Sequence, residues 1–118
     1  MLNYDKQQAA SAAVAELNRE GKLRATSDDE KQRAAYAIFD LLHEWAASNM
    51  PYGANAEISE RYIKKGLQAV RVKVIRMDRE QHQELEQKYG VDPITILSVI
   101  GALFSMVNWL IRWLRGEV

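Results

Sequence analysis

The chain contains no cysteine, which excludes disulfides, thiol catalysis and cysteine-ligated metals. Proline and glycine are sparse, at two and six residues, and long stretches without either favour helices over strands. Excess charge of either sign is also missing, with 16 basic and 16 acidic residues and histidine neutral. A chain without net charge is not built to coat nucleic acid with its whole surface. It also offers little like-charge repulsion against self-association. The start of the sequence lacks the basic and apolar regions of a secretory signal, so signal-directed secretion is not expected.

Catalytic patterns are missing as well. There is no Gly-rich phosphate loop, nucleophile elbow or metal-binding repeat. His43-Glu44 lacks the second histidine of a zinc-protease motif and reads as a helix-boundary residue. His82 stands in a polar stretch with Gln81, Gln83 and Glu84 and reads as solvated. Glu84 and Glu86, two apart on a helix, point to different faces and cannot act as an acid/base pair. The tyrosines Tyr4, Tyr36, Tyr52, Tyr62 and Tyr89 form no motif. Neither a catalytic residue, a metal site nor a cofactor is expected, and the reading is non-enzymatic.

What remains is an all-α pattern of about four helices, an antiparallel bundle or set of hairpins, in a chain of one-domain length. The first helix starts near Asn3 or Tyr4 and ends at Glu20, before Gly21. Its apolar side is small: Ala10, Ala13, Val14 and Leu17. The second opens on a capping box, Ser27-Asp28-Asp29-Glu30. It carries Ala34, Ala35, Ile38, Leu41, Leu42, Trp45 and Ala46 at helical spacing, and ends near Asn49 ahead of Pro51. The third is the long one, from about Ala56 to Tyr89, with Gly90 closing it. The steps Ile63, Leu67, Val70, Val74, Met77 favour helix over a strand at residues 70–75, and Gly66 or Asp78 is where a break would fall.

Six basic residues and no acid lie between Arg61 and Arg76: Arg61, Lys64, Lys65, Arg71, Lys73 and Arg76. Most fall opposite the apolar stripe. They form either a ridge for phosphates of nucleic acid or anionic lipid, or a solvated face balanced by acids of the second helix. The solvated face is the favoured reading, because no aromatics interleave to stack bases.

The fourth helix is signalled by Gly90, Asp92 and Pro93. From Ile94 to Ile111 no residue is charged. Such a stretch rises roughly 27 Å, near the thickness of a bilayer's hydrocarbon core. Ser98, Gly101, Ser105, Asn108, Arg112 and Arg115 recur with a period of 3.5, a small and polar seam on an otherwise greasy helix. In a membrane this seam would be the helix–helix contact. Trp109 and Trp113 would then sit at the interface, with Arg112 and Arg115 reaching headgroups. In a soluble bundle the greasy side would pack on other helices or subunits.

The first three helices supply limited apolar cover, so the excess calls for lipid or partner copies. The expectation is therefore a charged helical body, residues 1–90, and an apolar C-terminal helix, residues 91–118, that inserts in a membrane or drives oligomerisation. This describes a self-assembling protein, membrane-associated with a cytoplasmic body, of the kind used as phage or bacterial structural or pore components. The alternative is a cytoplasmic homo-oligomeric assembly or adaptor protein, with other assembly subunits as partners. Nucleic-acid or anionic-lipid binding through the third helix ranks below both.

Overall fold

The computed structural model describes residues 4–49 and 59–118. These residues are all helical in their regular structure, with no strand. The elements are α1 (Lys6–Arg19), α2 (Asp28–Asn49), α3 (Glu60–Arg76), α4 (Arg79–Tyr89), α5 (Pro93–Ser105) and α6 (Val107–Leu114). There are thus six helices among the described residues where the sequence pattern indicates about four. Both extra boundaries come from splitting an expected helix.

α1 begins later than expected. Asp5 caps it, its carboxylate accepting from the backbone N–H groups of Gln7 and Gln8. Asn3 lies outside the described residues. Rungs between Lys6 and Asp40, Ser11 and Gln32, and Asn18 and Lys31 run in opposite chain directions, so α1 and α2 form an antiparallel hairpin. Alanines at 9, 10 and 13 on α1 and at 34, 35 and 37 on α2 are buried. Such small residues let two helix backbones approach closely. Leu17 is the large, fully buried side chain of α1. The turn before α2 needs left-handed backbone at Gly21 (φ 68°) and Leu23 (φ 55°). Half of the expected capping box is present: Ser27 Oγ accepts from Glu30 N–H at 3.2 Å, while the Glu30 carboxylate accepts from the Ser27 hydroxyl at 2.9 Å in place of the Ser27 backbone N–H.

α2 is the central helix. It packs on α1, α3, α4 and α5, and it buries Ile38, Phe39, Leu41 and Leu42 around little more than one turn. A helix surrounded in this way cannot keep a single apolar stripe, which is why its buried set wraps around much of the circumference.

The long third helix is two helices. Met77 leaves helical geometry (φ −63°, ψ 140°), and Asp78 caps α4 in a reciprocal box with Gln81. A ring nitrogen of His82, Nε2, lies 2.7 Å from the carbonyl oxygen of Val74 at the end of α3, which the Met77 backbone N–H reaches only at 3.4 Å. His82 therefore ties the break together, which corrects its reading as a plain solvated residue. Gly66 is not a break. A Cβ built there would lie 2.5 Å from Leu42 Cδ1 and 2.9 Å from the Trp45 ring, so the glycine is needed for α2–α3 contact. Residues 70–75 are helical, and the expected helix start near Ala56 falls outside the described residues.

The C-terminal helix is also broken. Asp92 caps α5, with Pro93 in its first turn, and Gly90 ends α4 in left-handed geometry, all as the sequence indicates. At Met106 the backbone departs from helix (φ −113°, ψ 19°), and α6 turns 83° from α5. No proline or glycine marks this corner. Ser105 Oγ donates to the Ala102 carbonyl there, diverting the backbone acceptor. Packing completes the turn: α5 buries Ile96, Val99, Ile100 and Leu103, while α6 buries Val107, Leu110 and Ile111, chiefly towards α3. Each fully buried side chain of this size contributes about 1.5–3 kcal/mol. The bend lets two sides of the body cover the apolar side of this segment. The shortage of cover expected for a straight helix is reduced accordingly.

Candidate functional site

The charge-free segment keeps an outward face after the core is filled. On α5 that face carries Ile94, Ser98, Gly101 and Ser105, all exposed, flanked by half-buried Leu97, Ala102 and Phe104. Ile94 is 75% exposed, and a Cβ added at Gly101 would meet nothing within 4 Å. The serine hydroxyls turn back on their own helix, Ser98 to the Ile94 carbonyl at 3.0 Å and Ser105 to that of Ala102 at 2.6 Å. With their donors satisfied internally, these serines present a small, nearly neutral surface. On α6 the exposed positions are Asn108 and Arg112, with Trp109 and Trp113 half-buried next to them in sequence. Arg115 is exposed at the end of α6. The 83° corner divides the six residues of the 3.5-period seam: Ser98, Gly101 and Ser105 on one arm, and Asn108, Arg112 and Arg115 on or just after the other. No single described helix is long and apolar enough to cross a membrane; α5 and α6 as a bent pair reach that length and composition.

The six basic residues of α3 are all exposed. Lys64 pairs with Glu60 one turn earlier at 2.6 Å, and Lys73 pairs with Glu44 of α2 at 3.7 Å. The remaining four, Arg61, Lys65, Arg71 and Arg76, have no salt bridge among the described residues. Both pairs are solvent-exposed and contribute on the order of 0–1 kcal/mol. Of the six, Lys73 alone is balanced by an acid of α2 among the described residues.

The two histidines are far apart in role. His43 meets the Tyr4 ring edge-on, with centroids 5.8 Å apart, while His82 closes α3. Among the described residues no group of three or more His, Asp or Glu is placed to hold a metal ion.

One constellation is not visible in the sequence pattern. Asp40 sits on α2 between Phe39 and Leu41, its side chain 15% exposed. Lys6 of α1 holds its Oδ1 at 2.6 Å. The Tyr89 hydroxyl at the end of α4 donates to Oδ2, and the Lys88 ammonium lies 3.9 Å from the same oxygen. Burial pushes the Asp40 carboxyl up, but the hydrogen bonds from Lys6 and Tyr89 outweigh it and hold the group below its ordinary value. The bond to Asp40 raises Lys6. Burial, then the bond to Asp40, pushes the Tyr89 phenol well up. One carboxylate therefore ties α1, α2 and α4 together. Nearby, Tyr4 donates to the Phe39 carbonyl at 2.8 Å and packs edge-on against the Phe39 ring. A signal for this hub exists: Asp40 is the lone acid in the run from Ala34 to Leu42.

No protein-family model, curated protein or solved structure matches this chain.

Proposed function

We propose that this is a non-enzymatic, self-assembling helical protein whose copies meet through the outward face of α5 and its continuation on α6. The observation that carries this reading is an exposed helix face without charge. From Pro93 to Ile111 the outward positions hold Ile94, Ser98, Gly101, Ser105 and Asn108, where a water-facing helix ordinarily carries charged side chains. Depletion of charge, with aromatic residues and arginine enriched relative to the rest of the surface, is the composition of a protein interface. Here Trp109, Trp113 and Arg112 supply those residues. Small residues at 98, 101 and 105 allow a second backbone to come close, and zero net charge opposes association little.

The reading favours assembly in water over insertion in lipid. The greasiest side of the segment is already used inside the chain, and the 83° corner leaves neither arm long enough to span a bilayer. Carbonate extraction of expressing cells tests this. Release into the soluble fraction as an oligomer supports assembly; retention in membranes until detergent is added contradicts it and favours the bent pair in lipid. A second reading, anion binding along α3, is supported by the four basic residues without a salt bridge among the described residues. It is the weaker one, because Lys64 and Lys73 are already engaged by acids.

A further inference from the structure

The geometry points to a binding site for a small aromatic anion in the cleft between α1, α2 and α4, beside Asp40. This cleft has a volume of about 400 Å³, within the range of small-molecule sites. Three separate elements build it. Gln7 comes from α1, Gln32, Arg33, Tyr36 and Asp40 from α2, and Lys88 with Tyr89 from the end of α4.

The walls select a flat ring. Tyr36, half-buried, offers its ring to the cleft, and the largely buried Tyr89 ring backs it with centroids 6.3 Å apart and planes inclined at 55°. An aromatic ligand gains offset or edge contacts with such a pair. The polar groups select a negative charge. Asp40, the one acid in the lining, is already occupied by Lys6 and Tyr89, so it does not call for a cationic ligand. The donors with capacity to spare are Lys88 and Arg33. Lys88 stands 3.9 Å from Asp40 and 5.3 Å from the Tyr89 ring centre, a loose hold for an ammonium with three donors. Arg33 uses Nε on Asp29 at 3.2 Å and one terminal nitrogen on the Gly90 carbonyl at 3.2 Å, and its guanidinium has further N–H groups. Both side chains are at least half exposed, so they can turn to a carboxylate or phosphate. The amides of Gln7 and Gln32 stand at the rim for a ring's polar edge, Gln32 having one donor engaged by Ser11.

Titration of the full chain with benzoate, phenyl phosphate and adenosine monophosphate, followed by two-dimensional NMR of the tyrosine rings, tests the site. The expected result is a saturable shift of Tyr36 and Tyr89 with at least one probe, weakened by salt. Affinity should fall about tenfold in Lys88→Ala and in Arg33→Ala, the loss of one charge-assisted hydrogen bond. The rank of the three probes identifies the anion as carboxylate, simple phosphate or nucleotide. Probes that leave both tyrosines unmoved at millimolar concentration would overturn the proposal. So would binding unchanged in the Arg33→Ala, Lys88→Ala double variant. Both side chains are on the surface, so these variants keep the fold, and far-ultraviolet circular dichroism verifies that. Failure here leaves the assembly reading untouched, because the cleft and the α5 face share no residue.

Discussion

Tyr89 and Asp40, 49 residues apart in sequence, share a hydrogen bond that fixes the end of α4 to the middle of α2. The other carboxylate oxygen is held by Lys6, so the same acid also fixes the start of α1. With its side chain mostly withdrawn from water, Asp40 has little solvent to replace a lost partner. Tyr89→Phe should cost about 1–2 kcal/mol, and Asp40→Ala about 1–3 kcal/mol, because it strands both the phenol and the ammonium. Chemical denaturation of the single and double variants checks this. The two losses should be clearly non-additive, as expected for groups in one network.

The same hub sets a pH dependence. The folded-state pKa of Asp40 is lowered, so its stabilisation is present above the unfolded carboxyl value, about 3.9, and fades as pH falls through the folded value. Wild type should therefore be more stable than Asp40→Asn at neutral pH, and the gap should close progressively below about pH 4. At the alkaline end the sign reverses. Lys6 and Tyr89 have raised folded values, so their contributions are intact below the unfolded values, about 10, and are lost as pH rises through the folded ones. Tyr89→Phe should flatten part of that alkaline decline. Urea midpoints measured across the pH range report both limbs.

Two glycines inside helices should respond in opposite ways. At Gly66 a new Cβ would press on Leu42 and on the Trp45 ring. Leu42 is fully buried and the indole cannot bend, so overpacking of about 1–3 kcal/mol should outweigh the helix-propensity gain of about 1 kcal/mol. Gly66→Val should be worse still. At Gly101 a new Cβ meets nothing, so Gly101→Ala should stabilise the monomer by up to about 1 kcal/mol. Thermal melts of the two alanine variants separate them by sign.

The sequence makes the helical class legible because hydrophobic spacing and capping chemistry agree. Ser27 with Glu30, and Gly90 with Asp92 and Pro93, stand where the pattern puts helix ends. The division of the third helix is half legible. Asp78 and Gln81 have capping-box spacing, but without proline or glycine the apolar steps to Met77 run through the boundary unchanged. The corner at Met106 is the least legible feature. Beyond the Ser105 hydroxyl bond to Ala102, the corner turns Val107, Leu110 and Ile111 onto the body, a tertiary gain that local sequence does not encode. The exposure of Ser98, Gly101 and Ser105 along α5 could be read directly, but the corner breaks the expected seam before Asn108, and the Asp40 hub could not be read that way. A lone acid among apolar residues marks a buried partner, yet nothing in sequence says that the partners are Lys6 and Tyr89, 34 and 49 residues away.

The uncharged outward face of α5 is the surface proposed to join copies of this chain. Sedimentation velocity in detergent-free buffer over a hundredfold concentration range, on wild type beside Ser98→Leu and Gly101→Leu, tests it most directly. These positions are exposed and leave the core intact, so helicity should not change. The expected result is a concentration-dependent oligomer for wild type and a shift to monomer in both leucine variants, where bulk blocks close approach. A wild-type chain that stays monomeric throughout, or oligomers indifferent to leucine at both positions, would contradict it.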